Sequence, residues 1–204
     1  MARQCPKGHI CPAQSVTPTP CYVGTYNPKL QKSKSADCID CPVGAFCDDR
    51  GVVDYKQYAC PPGHYCPDTR QIRDPISCAP GYYRNATSAD SYDDCWPCPE
   101  GSFCLEGTDY PTPCDPGYAC PAKSSKEYAC KPSTYCPTGS PEEIPCPAGF
   151  YCPSYRTEQY IKCGNGTYCP PSSASETRCP AGYFGTGRTD NYDLKTSCIT
   201  CGLG

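Results

Sequence analysis

One seven-residue pattern governs this chain: cysteine, proline, any residue, glycine, any residue, an aromatic, and cysteine again. It stands as CPVGAFC at 41–47, CPPGHYC at 60–66, CPEGSFC at 98–104 and CPAGFYC at 146–152. Units opening at Cys5, Cys21, Cys41, Cys60, Cys78, Cys98, Cys114, Cys130, Cys146, Cys163, Cys179 and Cys201 account for nearly the whole sequence. The residue three places on is glycine in eleven of the twelve units, with Ser133 the exception. Five places on stands an aromatic in nine of the eleven complete units; Ile10 and Ala119 are the departures. From Cys98 to Cys179 the period is 16 or 17 residues. Regularity of this kind marks an array in which each unit touches chiefly its neighbours.

Two kinds of unit occur. Short units close with a second cysteine six residues after the first: Cys11, Cys47, Cys66, Cys104, Cys120, Cys136, Cys152 and Cys169. Long-arm units (21–41, 78–98 and 179–201) delay it by 17 to 19 residues and open the next unit through Cys-x-x-Cys; short units fill 5–20, 41–77 and 98–178. Cys-Pro-x-Gly is turn chemistry, with proline fixing one φ and glycine tolerating the geometry that closes the bend. The aromatic is expected to lie against a disulfide or the next turn, burying area that aliphatic residues do not supply.

They do not supply it because they are scarce. Leu, Ile, Val and Phe number 20 of 204 residues, below the level at which a conventional core forms. With 26 prolines and 18 glycines, long helices and wide sheets are excluded. The 23 cysteines place the chain among disulfide scaffolds. The expected fold is therefore small and disulfide-rich: one continuous array over 1–204, an elongated line of short loop and β-turn repeats without a central hydrophobic core.

Parity narrows the bonding without settling it. Pairing inside units gives 5–11, 21–38, 41–47, 60–66, 78–95, 98–104, 114–120, 130–136, 146–152, 163–169 and 179–198, which leaves Cys201 for a partner downstream. Shifting the phase gives 11–21, 47–60, 66–78, 104–114, 120–130, 136–146, 152–163 and 169–179, with Cys5 tied upstream and the Cys-x-x-Cys residues Cys38, Cys41, Cys95, Cys98, Cys198 and Cys201 pairing locally or interleaving. Cys66, for instance, closes on Cys60 in the first phase and on Cys78 in the second. The first phase is preferred. CIDC, CWPC and CITC lie more than fifty residues apart with only His9 and His64 as histidines, which argues against zinc. Turn-forming flanks argue against a thioredoxin-like redox site.

No apolar run approaches the length needed to cross a bilayer, and the first thirty residues lack a signal peptide's apolar stretch. Because so many cysteines require an oxidising compartment, the chain is expected to be part of a longer secreted or cell-surface protein whose signal lies upstream. Its net charge of −3 is spread evenly, so nucleic acid is not an expected partner. Asn85-Ala86-Thr87 and Asn165-Gly166-Thr167 fit the N-glycosylation pattern, and SVTPTP (15–20) and PPSSASET (170–177) have the look of O-glycosylated tracts. The acidic pairs Asp48-Asp49, Asp93-Asp94 and Glu142-Glu143 lack calcium-loop spacing and read as solvated surface. Neither histidine has a nucleophile or acid partner in the pattern, so no enzymatic activity and no cofactor or metal is expected.

CPxGxYCP followed by a long arm ending Cys-x-x-Cys-Pro-x-Gly resembles the ephrin-receptor-like cysteine-rich repeat. The closest matches are CYVGTY through CIDC, CAPGYY through CWPC and CPAGYF through CITC. That resemblance implies a tandem extracellular array. The expected function is a structural component of an extracellular filament, surface coat or appendage. Self-association or other coat proteins are the expected partners, through tyrosine-rich faces, with glycans along the flanks. The alternative is a stalk or ligand-binding ectodomain of a receptor or adhesin.

Overall fold

The computed structural model describes residues 4–67, 74–186 and 192–202. They form two compact units, one of residues 1–97 with 105–110 and the other of 98–104 with 111–204. The secondary structure is minimal. Ten antiparallel pairs of strands, mostly two residues long, fall four in the first unit and six in the second. Three short 3-10 turns (Ser35–Asp37, Tyr55–Tyr58, Tyr92–Asp94) and one turn of α-helix (Leu194–Ser197) are the helical content of the described residues. Isolated hairpins are at best marginally stable in water, so cross-links must supply what sheets cannot. Eleven disulfides do so, eight closing six-residue loops and three closing the long arms, each within its own repeat.

The shifted bonding phase does not form. Cys66 bonds Cys60 and not Cys78, whose partner is Cys95. The reason is local: the turn at Gly63 folds the chain back at once and sets the Cys60 and Cys66 Cα atoms 5.9 Å apart, a bridging distance. Cys11, Cys47, Cys104, Cys120, Cys136, Cys152 and Cys169 close on Cys5, Cys41, Cys98, Cys114, Cys130, Cys146 and Cys163 in the same manner.

The motif makes a type II-like turn. In Pro147-Ala148-Gly149-Phe150 the Phe150 amide donates to the Pro147 carbonyl (3.2 Å), and Gly149 has φ +84°. The chain then runs two residues to the second cysteine and turns again, and this second turn has no counterpart in the expected pattern. The Ser124 amide donates to Pro121 (3.1 Å) and the Ser140 amide to Pro137 (3.2 Å), with Lys123 and Gly139 left-handed between them. The serine hydroxyls at 124 and 140 donate to the same carbonyls. Where both turns lie among the described residues, each repeat thus carries two left-handed residues. The first is almost always glycine, whereas the second is Gln31, Ser88, Lys123, Arg156 or Ser172 as readily as Gly51, Gly107 or Gly139.

Three backbone hydrogen bonds fasten a repeat to the next at seven junctions among the described residues. Between the repeats of Cys114 and Cys130 they run from the Gly117 amide to the Cys136 carbonyl (2.7 Å), Cys120 to Ser140 (2.9 Å) and Gly139 to Cys114 (2.9 Å). One repeat later the same bonds join Ser133 to Cys152, Cys136 to Thr157 and Arg156 to Cys130, each at 2.9 Å. In the first unit, Gly8 to Asn27, Cys11 to Lys32 and Gln31 to Cys5 repeat the scheme, and Cys66 serves it twice, accepting from Gly44 (2.9 Å) and donating to Ala89 (3.0 Å). Contact does not stop at neighbours, as the period alone suggests. A Cβ at Gly117 would meet the Arg156 carbonyl oxygen at 2.6 Å, and one at Gly44 the Ser88 carbonyl oxygen at 2.8 Å, in each case two repeats on. This close approach explains why the first turn demands glycine at Gly8, Gly44, Gly63, Gly101 and Gly117, whereas a Cβ at the second-turn glycines Gly51, Gly107 and Gly139 would meet nothing closer than 3.4 Å.

The buried residues are chiefly the cysteines. Cys60, Cys78, Cys98, Cys104, Cys114, Cys120, Cys130, Cys136, Cys146, Cys152 and Cys169 are wholly inaccessible, and Cys66 is buried beside Cys60. The rings differ from expectation. Tyr26, Tyr65, Tyr83, Tyr135 and Tyr151 are only half-buried, and Phe184 is exposed. A two-strand ribbon has too little surface to cover a phenol on both faces, so the rings lie along the disulfide line. At Ala119, where the repeat lacks its ring, the cross-strand partner is Tyr128.

Ser133, the one departure from glycine, still adopts φ +81°. Left-handed geometry costs an L-residue roughly 1–2 kcal/mol, part of which glycine returns in unfolded-chain entropy. Ser133→Gly is therefore expected to stabilise the chain by about 0.5–1 kcal/mol in denaturant unfolding with disulfides intact.

Candidate functional surface

Long-arm units lack a cysteine six places after the first, and in the first two a polar side chain takes over there. Asn27, 1% exposed, donates from Nδ2 to the His9 carbonyl (3.0 Å) and accepts at Oδ1 from the Lys29 amide (3.0 Å). Arg84 donates from Nη1 to the Asp94 carbonyl (3.1 Å) and lies over the Trp96 ring at 4.8 Å. Each arm also carries an aspartate that caps a helical turn. Asp37 Oδ2 accepts from the Lys34 amide (3.0 Å) and the Ser33 amide (3.2 Å), and its Oδ1 from Lys32 Nζ (3.1 Å). Asp94 accepts from the Asp90 and Ser91 amides, and Asp193 from the Thr196 amide and hydroxyl.

These donors hold all three carboxyls below the ordinary carboxylate value. The largest cause is the Lys34 amide for Asp37, the Asp90 amide for Asp94 and the Thr196 hydroxyl for Asp193. A depressed folded value means that the stabilisation is complete above the unfolded value near 4 and fades as pH falls through the folded one. Amide exchange at Lys34, Ser91 and Thr196 is accordingly expected to lose protection below about pH 4. The triple variant Asp37→Asn, Asp94→Asn, Asp193→Asn should flatten that acid limb.

The Cys-x-x-Cys pairs are not bonded to one another. Cys38 joins Cys21, Cys41 joins Cys47, Cys95 joins Cys78, Cys98 joins Cys104 and Cys198 joins Cys179, while Cys201 carries an exposed free thiol. His9 and His64 occupy the same turn position, and each Nδ1 faces the carbonyl two residues back, Lys7 at 3.0 Å and Pro62 at 2.9 Å. Their Cε1 atoms pack near Gly51 and Gly107, two repeats on. Both histidines therefore serve the turn. Among the described residues no group of three or more His, Cys, Asp or Glu side chains could hold a metal ion.

Asn85 and Asn165 are exposed. Thr167, third residue of the second acceptor triplet, donates its hydroxyl to the Gly164 carbonyl (2.8 Å), the same turn contact that Thr25 and Thr134 make without an asparagine acceptor. Asp49 accepts from the Tyr58 hydroxyl (3.0 Å), which pushes that phenol above its usual value. Asp94 is the cap already described, and Glu143 pairs with Lys131 at 3.7 Å.

The surface is otherwise a field of rings in edge-to-face or tilted contact. Tyr26 meets Tyr55, Phe46 meets Tyr58, and Tyr65 and Tyr82 both meet Tyr92 in the first unit. In the second, Tyr160 sits between Tyr135 and Phe150. Tyr22, Tyr110 and Tyr155 are largely exposed. The described residues contain no helix long and apolar enough to cross a membrane.

Sequence pattern missed the second turn and its hydroxyl. The signal was present as a Ser or Thr ten places after the first cysteine, at Thr108, Ser124, Ser140 and Ser173.

No known family profile matches the chain. Part of it is similar to the ABC transporter G family member 25 of Oryza sativa subsp. japonica, with 29% identity over 129 residues, covering 47% of this chain and 12% of the rice protein. The chain thus spans about an eighth of the length of that relative.

Proposed function

We propose that this chain is a mechanical segment of an extracellular filament, surface coat or appendage. One observation carries the reading: each complete repeat is closed by its own disulfide, and at seven junctions among the described residues a repeat is tied to the next by three backbone hydrogen bonds, with Gly8, Gly44, Gly63, Gly101 and Gly117 also packed against the repeat after that. Load applied along such an array meets covalent loops that cannot lengthen and hydrogen bonds that share the strain. Eleven disulfides suit an oxidising, extracellular setting. The exposed tyrosines offer faces for self-association, and glycans at Asn85 and Asn165 would shield the flanks.

A second reading has a specific observation behind it. Similarity to part of a rice ABC transporter favours a repeat ectodomain on a membrane protein, as does the resemblance to ephrin-receptor-like repeats. The two separate experimentally. Chain secreted from eukaryotic cells is examined by sedimentation velocity and negative-stain electron microscopy at rising concentration. Ordered polymers support the filament or coat; monomers at every concentration overturn it in favour of the ectodomain.

A further inference from the structure

The second unit holds a groove of about 380 Å³ lined by Pro116, Pro137, Tyr135, Tyr160 and Glu158. The two tyrosine rings stand nearly perpendicular, at 88° with centroids 5.0 Å apart. Phe150 braces Tyr160 from another side at 4.5 Å. Tyr160 still leaves 41% of its surface open. Glu158 is the single charged side chain lining the groove. Aromatic faces carry negative potential, so rings and carboxylate together attract a cation.

The protein satisfies other ring faces with its own cations. Arg156 lies over Tyr118 at 5.1 Å, Lys126 over Tyr128 at 5.6 Å and Arg84 over Trp96 at 4.8 Å. Among the described residues no Lys or Arg lies over Tyr135 or Tyr160. We propose that this groove receives an arginine side chain from a partner protein. Guanidinium is planar and weakly hydrated, so it stacks on a phenol while its N–H fork reaches a carboxylate; ammonium does neither as well. The site is independent of whether the array bears load.

The same groove occurs one repeat earlier and supplies an internal control. Ala119 stands there in place of Tyr135, Pro121 in place of Pro137 and Glu142 in place of Glu158. It lacks the perpendicular rings: its one ring, Tyr128, already carries Lys126, its second carboxylate, Glu143, pairs with Lys131, and Lys123 lines it. A cation has no comparable seat in that earlier groove.

The test is an NMR titration of the secreted, isotope-labelled chain with the peptide Gly-Gly-Arg-Gly-Gly, against versions carrying citrulline or lysine. Expected are shifts confined to Tyr135, Thr138, Glu158, Gln159 and Tyr160, none with citrulline, and weaker binding with lysine. Glu158→Gln, at an exposed residue, should raise Kd about fivefold, as should Tyr160→Leu; Glu142→Gln should leave it unchanged. Shifts elsewhere, citrulline binding as well as arginine, or an unaltered Kd in Glu158→Gln would overturn the proposal. A lysine peptide binding as tightly as the arginine peptide would overturn the choice of arginine.

Discussion

Gly117→Ala is expected to cost roughly 3–4 kcal/mol, far more than a surface alanine ordinarily does. Two penalties combine. Residue 117 has φ +86°, where an added Cβ costs roughly 1–2 kcal/mol by itself. That Cβ would also stand 2.6 Å from the Arg156 carbonyl oxygen. Arg156 cannot retreat cheaply, because its amide is bonded to the Cys130 carbonyl at 2.9 Å. The control is Gly166→Ala. Gly166 has a similar φ of +80° but nothing within 4 Å of its would-be Cβ, so only the first penalty applies, about 1 kcal/mol. Denaturant unfolding with disulfides intact, together with exchange at the Arg156 amide, measures the difference. Equal losses in the two variants would remove the contact between a repeat and its next-but-one neighbour from the account of stability.

That contact also marks the limit of what could be read from the chain. The unit boundaries, the turn at Cys-Pro-x-Gly, the absence of an aliphatic core and the dominance of disulfides follow from local spacing and composition, because each depends on residues within one repeat. Spacing left two bonding phases open, since gaps of six and of roughly ten residues both close plausible loops. The structure closes the six-residue loops because the turn at Gly63, Gly117 or Gly149 brings its flanking cysteines together before the chain reaches the next unit. Contacts at two repeats' distance depend on the winding of successive turns, and no residue type announces a winding angle. Asn27 illustrates a further gap. At its position short units hold a cysteine, and only the structure shows an amide bridging two backbone groups instead.

Ring burial was misjudged for a reason of scale. A tyrosine exposes far more area than a two-residue strand can cover, so Tyr135 and Tyr151 remain half open. The space at the centre of each repeat is taken by sulfur, which is compact enough to be wholly enclosed by two turns of backbone. This is also why the surface is so aromatic. Rings such as Tyr135 and Tyr160, placed beside the core rather than within it, are free to meet one another or a partner.

If sulfur is the core, removing one bridge should act on several repeats. Replacing both Cys130 and Cys136 with alanine is expected to cost roughly 3–5 kcal/mol, about half from loop closure and the rest from the lost buried sulfurs. Both cysteines are wholly inaccessible and pack with Ala119 from the preceding repeat. Their backbones carry the ladder in both directions: the Cys136 carbonyl accepts from Gly117, its amide donates to Thr157, and the Cys130 carbonyl accepts from Arg156. Loosening this loop therefore frees groups in three successive repeats. The expected sign is new tryptic cleavage at Lys126 and Arg156 in the variant, while Arg50 in the first unit is cut no faster than before. Cleavage spreading through the whole chain would mean that the array unfolds as one body. Unchanged resistance at Lys126 and Arg156 would mean that the hydrogen bonds hold the repeat without its bridge, and that sulfur is not what sustains this fold.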